Sequence, residues 1–203
     1  MLSAKERQKI RRKIKRLTVD YGAHDTFDDG SCVMEITAYA AGMKTCTDSP
    51  RIACEFVTPI MIQVNDKVSS NVRQELKALV PYLIGTRSRT KSMKRAYWLL
   101  QTFLLYAADK GFKQKETFTE YPSASTCAKA SGFIKNREYD LAFSILPIDT
   151  CSILSNLNAG CIAGAASGFV FFIDSLIPKD EKAQMKFVKD FICIVKRSLM
   201  IDF

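Results

Sequence analysis

The sequence predicts a mainly α protein: a compact, bundle-like helical domain with a basic N-terminal helix and a helical C-terminal extension. Three observations carry this. Apolar residues recur at helical spacing over most of the 203 residues. Helix follows helix at short intervals, with few of the Gly/Asn signals that close hairpins. The hydrophobic share of 47% and charged share of 25% are those of a chain that folds around one full core or two small lobes.

Residues 1–16, MLSAKERQKIRRKIKR, carry eight Lys and Arg against the single acid Glu6, which is +7 of the chain's +9. Ile10, Ile14, Leu17 and Tyr21 follow at spacings of four, three and four, so the arm is expected to be a helix with one apolar face to Tyr21. YGAHDTFDDGS breaks it. Ser31 is the expected N-cap of a helix from Cys32 to about Ala41, ended by Gly42. TCTDSP is a loop. RIACEFVTPIMIQVND is an apolar helix with a bend expected near Pro59.

Residues 69–84 start from a serine cap, with Val72, Leu76, Leu79, Val80 and Leu83 on one stripe. GTRSRTKS is a basic loop, and 93–111 is a long helix with a Gly stop. Residues 112–149 hold Phe and Tyr runs that fit short helices or a small hairpin. Residues 179–200 form an amphipathic helix with Phe187, Phe191, Ile194 and Val195 on its apolar side. The divisions expected are a basic arm over 1–21, a helical core over 22–110 and a helical region over 111–203 packed on that core.

Thr150–Ile173 contains no charge. A membrane span needs about 20 mostly apolar residues, so the length suffices. Asn156, Asn158 and the small-residue centre argue instead for a tightly packed internal helix. Gly160, Gly164 and Gly168 are expected to let a neighbouring helix approach closely.

Around the only histidine, His24, lies a polar stripe. At 100° per residue, Cys32, Glu35 and Tyr39 share one side of an otherwise apolar helix. A buried carboxylate needs partners. His24, Cys32, Glu35 and Tyr39 therefore fit a structural hydrogen-bond network, with Tyr39 donating to Glu35. They also fit a thiol enzyme with Cys32 as nucleophile at a helix start and His24 as base, with Glu35 beside them. A zinc site from His24, Cys32, Cys46 and Cys54 has spacings of eight, fourteen and eight, unlike the short paired spacings of structural zinc. The expectation is therefore no metal, no cofactor and no catalytic residue. No phosphate-binding Gly-rich loop, H-E-x-x-H or G-x-S-x-G occurs. Seven scattered cysteines without a C-x-x-C pair, and no secretory signal, point to reduced thiols and a cytoplasmic protein.

GAHDTFDDGSCVMEITAYAAG, the Asp48-Ser49-Pro50 loop with Cys54, PIMIQVND, LKALVPYLIGT and RAYWLLQTFL together resemble a family of small, uncharacterised helical proteins of bacteria, notably actinobacteria, and their phages. The likeness covers about residues 22–105. It implies no activity. Ser49 stands where that loop often carries histidine, and the arm and residues 106–203 stand outside the likeness.

The second basic cluster, RSRTKSMKRAYW, has no acid between Glu75 and Asp109. Two positive regions on a near-neutral body suit a polyphosphate. The expected contacts are Lys9, Arg11, Arg12, Lys13, Lys15 and Arg16 in the arm, and Arg87, Arg89, Lys91, Lys94 and Arg95 in the second cluster. Tyr97 or Trp98 would be placed to stack on a base. Three function classes follow. One is a non-enzymatic, phage-type protein that binds nucleic acid. Another is an anti-defence or host-takeover protein that binds a host protein or sequesters a small signal. The last is the thiol enzyme. A membrane partner is not expected, and the host bacterial cytoplasm is the expected location.

Overall fold

The computed structural model describes residues 2–110, 124–146 and 148–201, and every regular element among them is a helix. In chain order these are α1 (Ala4–Ile14), α2 (Val33–Ala40), α3 (Val57–Lys67), α4 (Ser70–Arg73), a 3₁₀ turn (Gln74–Leu79), α5 (Val80–Leu83), α6 (Arg89–Asp109), α7 (Ala124–Asn136), α8 (Tyr139–Ile145), α9 (Ile148–Asn158), α10 (Ile162–Leu176) and α11 (Glu181–Met200). The expected mainly α, bundle-like fold is what forms. Within the stretch read as helices or a hairpin, α7 and α8 are helices joined by a short turn, and 112–123 and 147 lie outside the described residues.

α1 opens with a capping box, in which Ser3 N–H donates to Glu6 and Glu6 N–H donates to Ser3. It closes at Ile14, seven residues short of the expected Tyr21. Val19 exchanges two hydrogen bonds with the side-chain amide of Gln74, at 2.9 and 2.8 Å, and Lys77 donates to the Leu17 carbonyl. These tertiary partners claim the backbone that a longer helix would use. Ile14 and Val19 are buried, whereas Tyr21 is 65% exposed. The arm is thus anchored, and it packs on α5 and α2.

The cap of α2 lies one residue later than expected, at Cys32 rather than Ser31. Its far end matches the expectation. Gly42 N–H donates to the Tyr39 carbonyl and Met43 N–H to the Ala38 carbonyl, with Gly42 at φ +81, a Schellman closure. Pro59 does not bend α3. It lies in the first turn, where a missing N–H breaks no intrahelical bond.

Residues 69–84 bury the five predicted side chains, but not on one continuous α-helix. Pro81 has no N–H to offer the Lys77 carbonyl, and its ring would collide with it. The chain tightens to 3₁₀ winding there, and Val80 N–H donates to Lys77 instead. α6 begins four residues earlier than expected, capped by Ser88, so Arg89 and Lys91 are helical rather than in a loop.

The uncharged run folds as two helices, α9 and α10, joined at Gly160. A Cβ on Gly164 would fall 2.4 Å from Asn156 Oδ1, and one on Gly168 would fall 2.8 Å from Ile153 Cγ1. These two glycines permit the expected close approach. Gly160 does not: nothing lies within 4 Å of its Cβ position, and it serves the turn through φ +72. No helix among the described residues is long and apolar enough to cross a membrane.

Buried side chains from α1 to α11 form one contiguous core. α10 packs on α3 and α6, and α11 on the 3₁₀ turn and α6. Phe103, Phe169, Phe187 and Phe191 meet at its centre, with successive ring centroids about 6 Å apart.

Candidate functional site

Glu35 sits in the first turn of an apolar helix with 0% exposure, so its carboxylate needs partners inside the protein. It has three. Oε1 accepts the His24 backbone N–H at 2.7 Å. Oε2 accepts the Cys32 N–H at 2.7 Å and lies 2.8 Å from His24 Nδ1. In return, Glu35 N–H donates to Cys32 Sγ at 3.5 Å. The cysteine is therefore an N-cap in which sulfur replaces the usual oxygen. Gly30 completes the fit, since a Cβ there would lie 2.9 Å from His24 Nε2 and 3.2 Å from Asp20 Oδ2.

The predicted network thus brings together His24, Cys32 and Glu35, but not Tyr39. The Tyr39 ring packs edge-on against Phe27 at 5.4 Å and beneath Lys13 at 4.4 Å. Its carbonyl accepts from Lys13 Nζ. One turn of helix separates Tyr39 from Glu35, yet the carboxylate is turned back toward the N-terminus, where unpaired N–H groups attract it.

A second layer holds the same loop. Asn65 Oδ1 accepts Val33 N–H, Asn65 Nδ2 donates to the Asp20 carbonyl, and Asp66 accepts Gly22 N–H. A separate buried joint links Cys54 N–H to Thr86 Oγ1 and Cys54 Sγ to Ser92 Oγ. Many of the motif residues in 22–86 therefore clamp chain segments together. Asn65 and Asp66 could have been found from sequence by asking which polar residues lie in an apolar helix.

This geometry does not suit a nucleophile. Burial pushes the Cys32 thiol from its ordinary 9.0 up to about 12, and the nearby Glu35 charge acts in the same direction. The thiolate is the reactive form, and it does not form here at neutral pH. The four residues weighed for zinc do not assemble either. Cys32 caps α2 while Cys54 faces Ser92, and among the described residues no group of three His, Cys, Asp or Glu is placed to hold a metal.

The expected phosphate contacts divide. Lys9, Arg11, Arg12, Lys13, Lys15 and Arg16 are exposed on or just after α1, as are Arg87, Arg89 and Lys94 at the start of α6, with Lys91 half-buried. Arg95 is the exception. It is 3% exposed and spends its guanidinium on the carbonyls of Thr86, at 2.7 Å, and Ser198, at 3.3 Å. Its position on the helix turns it inward, so it joins α6 to the end of α11 and does not belong with the exposed cations.

Two cations outside the predicted set, Arg7 and Lys196, belong to the same surface. Arg7, Arg11 and Lys196 stand 5.3, 5.8 and 4.7 Å from the Tyr82 ring. Burial raises the Tyr82 phenol, but hydrogen bonding to Lys196 and the charges of Lys196, Arg11 and Arg7 outweigh it, and its pKa is lowered. No carboxylate pairs with any of the three among the described residues. The last turns of α11 therefore meet α6 through Ser198 and share the Tyr82 ring of α5 with α1 through Lys196.

A groove of about 630 Å³ runs between α6 and the α7–α8 corner. Met93, Lys94, Tyr97, Trp98 and Gln101 line one side; Ile134, Lys135, Arg137 and Tyr139 line the other. Tyr97 and Tyr139 stack at 5.5 Å with 30° between their planes. Tyr97 also donates to Asn158 at 2.7 Å. The α6 side was legible as a basic stretch next to aromatics. The other side falls in the segment whose helices lacked a clear period.

Comparison of the chain with protein-family models, curated proteins and solved structures finds no match in any of the three.

Proposed function

We propose that this protein binds nucleic acid without catalysing a reaction on it, through the outward face of α1 and the exposed cations at the start of α6. The observation that carries this is the convergence of Arg7, Arg11 and Lys196 on Tyr82 with no acidic partner among the described residues. Like charges held together repel one another, and a polyanion relieves that repulsion. Arg11 donates to the phenol oxygen at 3.1 Å, and this fixes its guanidinium beside the other two charges. Lys9 and Arg12 add exposed charge on other faces of α1, and Lys15 and Arg16 add it just beyond its end. Phosphates bound there release counterions, so affinity falls with salt.

Charge reversal is a cleaner test than deleting the arm, because deletion also strips buried Ile14 from the core. Binding of a labelled oligonucleotide by the intact protein should show a log K against log salt slope of about −3 to −5 for four to six neutralised phosphates. Combining Arg7→Glu, Arg11→Glu and Lys196→Glu should weaken binding and flatten that slope by about 0.7–0.9 for each phosphate no longer neutralised. An unchanged slope in the triple variant would remove this surface from the interface.

A further inference from the structure

We infer that the groove between α6 and the α7–α8 corner receives unpaired bases of a single strand, an inference that rests on the nucleic-acid reading. Its lining joins two chemistries. Lys94, Lys135 and Arg137 are exposed, and none forms an ion pair among the described residues. No acid lines the groove among the described residues. Tyr97, Trp98 and Tyr139 are each only partly buried within it. The cations suit a phosphate backbone, and the aromatic rings suit the flat face of a base. In a duplex those faces are already covered by neighbouring base pairs, so only an unstacked strand satisfies both. The volume, about 630 Å³, falls in the roughly 300–1,000 Å³ range of small-ligand clefts, enough for a nucleotide unit.

Arg137 adds an independent observation. It is the one non-glycine residue with positive φ among the described residues, at +63. Arg137 N–H donates to the Ile134 carbonyl and Glu138 N–H to the Phe133 carbonyl, the closure of a helix end that glycine favours. An arginine there holds a strained backbone that glycine would relax. What it adds in exchange is a guanidinium at the mouth of the groove. Phosphate recognition gives that strain a use.

Trp98 is the chain's single tryptophan, so its emission reports on the groove alone. Titration of the full chain with a short oligothymidylate should quench Trp98 saturably, while a duplex of equal length should not. Lys135→Glu should weaken single-strand binding roughly tenfold. Arg137→Gly should weaken it too, while melting no lower than the parent, an outcome that a purely structural arginine would not produce. Oligothymidylate binding, seen by anisotropy, with Trp98 emission and the Lys135→Glu affinity unchanged would overturn the groove and leave the α1 surface standing. If no oligonucleotide binds, the α1 reading fails. Thymidine monophosphate must then quench Trp98 for the groove to survive, and its failure to do so overturns the groove as well.

Discussion

Glu35 holds His24 twice, accepting its backbone N–H at 2.7 Å and facing its ring Nδ1 at 2.8 Å. One buried carboxylate thereby fixes both the path of a loop and the orientation of an imidazole. Because Oε2 also accepts the Cys32 N–H, the start of α2 and the preceding loop share one acceptor group.

The clamp should be worth more than the sulfur beside it. Glu35→Ala orphans three donors at once, and thermal or urea melts should show a loss of about 3 kcal/mol or more. Cys32→Ser keeps a side-chain acceptor at a position serine favours, so its cost should stay below about 1 kcal/mol. Equal losses in the two variants would mean that cap packing, not the carboxylate, secures the loop.

Alkali should destabilise the protein through its buried thiols. Folding raises Cys32 from 9.0 to about 12 and Cys127 from 9.0 to about 11, both by burial. The unfolded chain loses these protons first, so the stability is fully present below pH 9.0 and is lost as pH rises toward the folded values. Melting temperature should fall above pH 9.0, and Cys32→Ser should blunt the fall. In the native protein a thiol reagent should modify exposed Cys161 and Cys193 and spare buried Cys32 and Cys54. Labelling of Cys32 at neutral pH without unfolding would restore a reactive-thiol role.

The glycines of the uncharged run should not behave alike. Gly164→Leu forces a side chain into Asn156 and should cost about 1–3 kcal/mol or more. Gly160→Ala meets no atoms and should cost about 1 kcal/mol, for its backbone conformation only. Pairing Gly164→Ala with Asn156→Ala should recover part of the single-variant loss, because the double variant removes the collision. Additive losses in that cycle would place the cost of Gly164→Ala elsewhere.

Arg95 should separate stability from binding. Arg95→Ala leaves the carbonyls of Thr86 and Ser198 without their charged donor, and should cost about 2–3 kcal/mol. Oligonucleotide affinity of the folded fraction, and its salt slope, should stay at parent values. A flattened slope with an unchanged melting temperature would return Arg95 to the binding surface.

Local chemistry in the sequence was enough to determine that the chain is helical and which stretches supply its core. Val72, Leu76, Leu79, Val80 and Leu83 announce a buried stripe by spacing alone, and all five are buried. Gly42 and Asp174 likewise mark, at or near its end, where an apolar run gives out. The pairing of His24 with Glu35 was also legible, because a carboxylate amid apolar neighbours requires a partner and the chain has one histidine.

Tertiary structure decided what neighbours in space, rather than in sequence, control. α1 stops at Ile14 because Gln74, far along the chain, takes the backbone of Val19. Arg95 turns inward because carbonyls of Thr86 and Ser198 await it. Tyr82 becomes a meeting point of three cations only when α1, α5 and α11 converge, and Arg137 comes to line one groove with Trp98 only when α7 folds back on α6. Periodicity reports which face of a helix is apolar. It carries no information on which distant polar group will satisfy a buried donor, and that choice sets the clamp, the cationic surface and the groove.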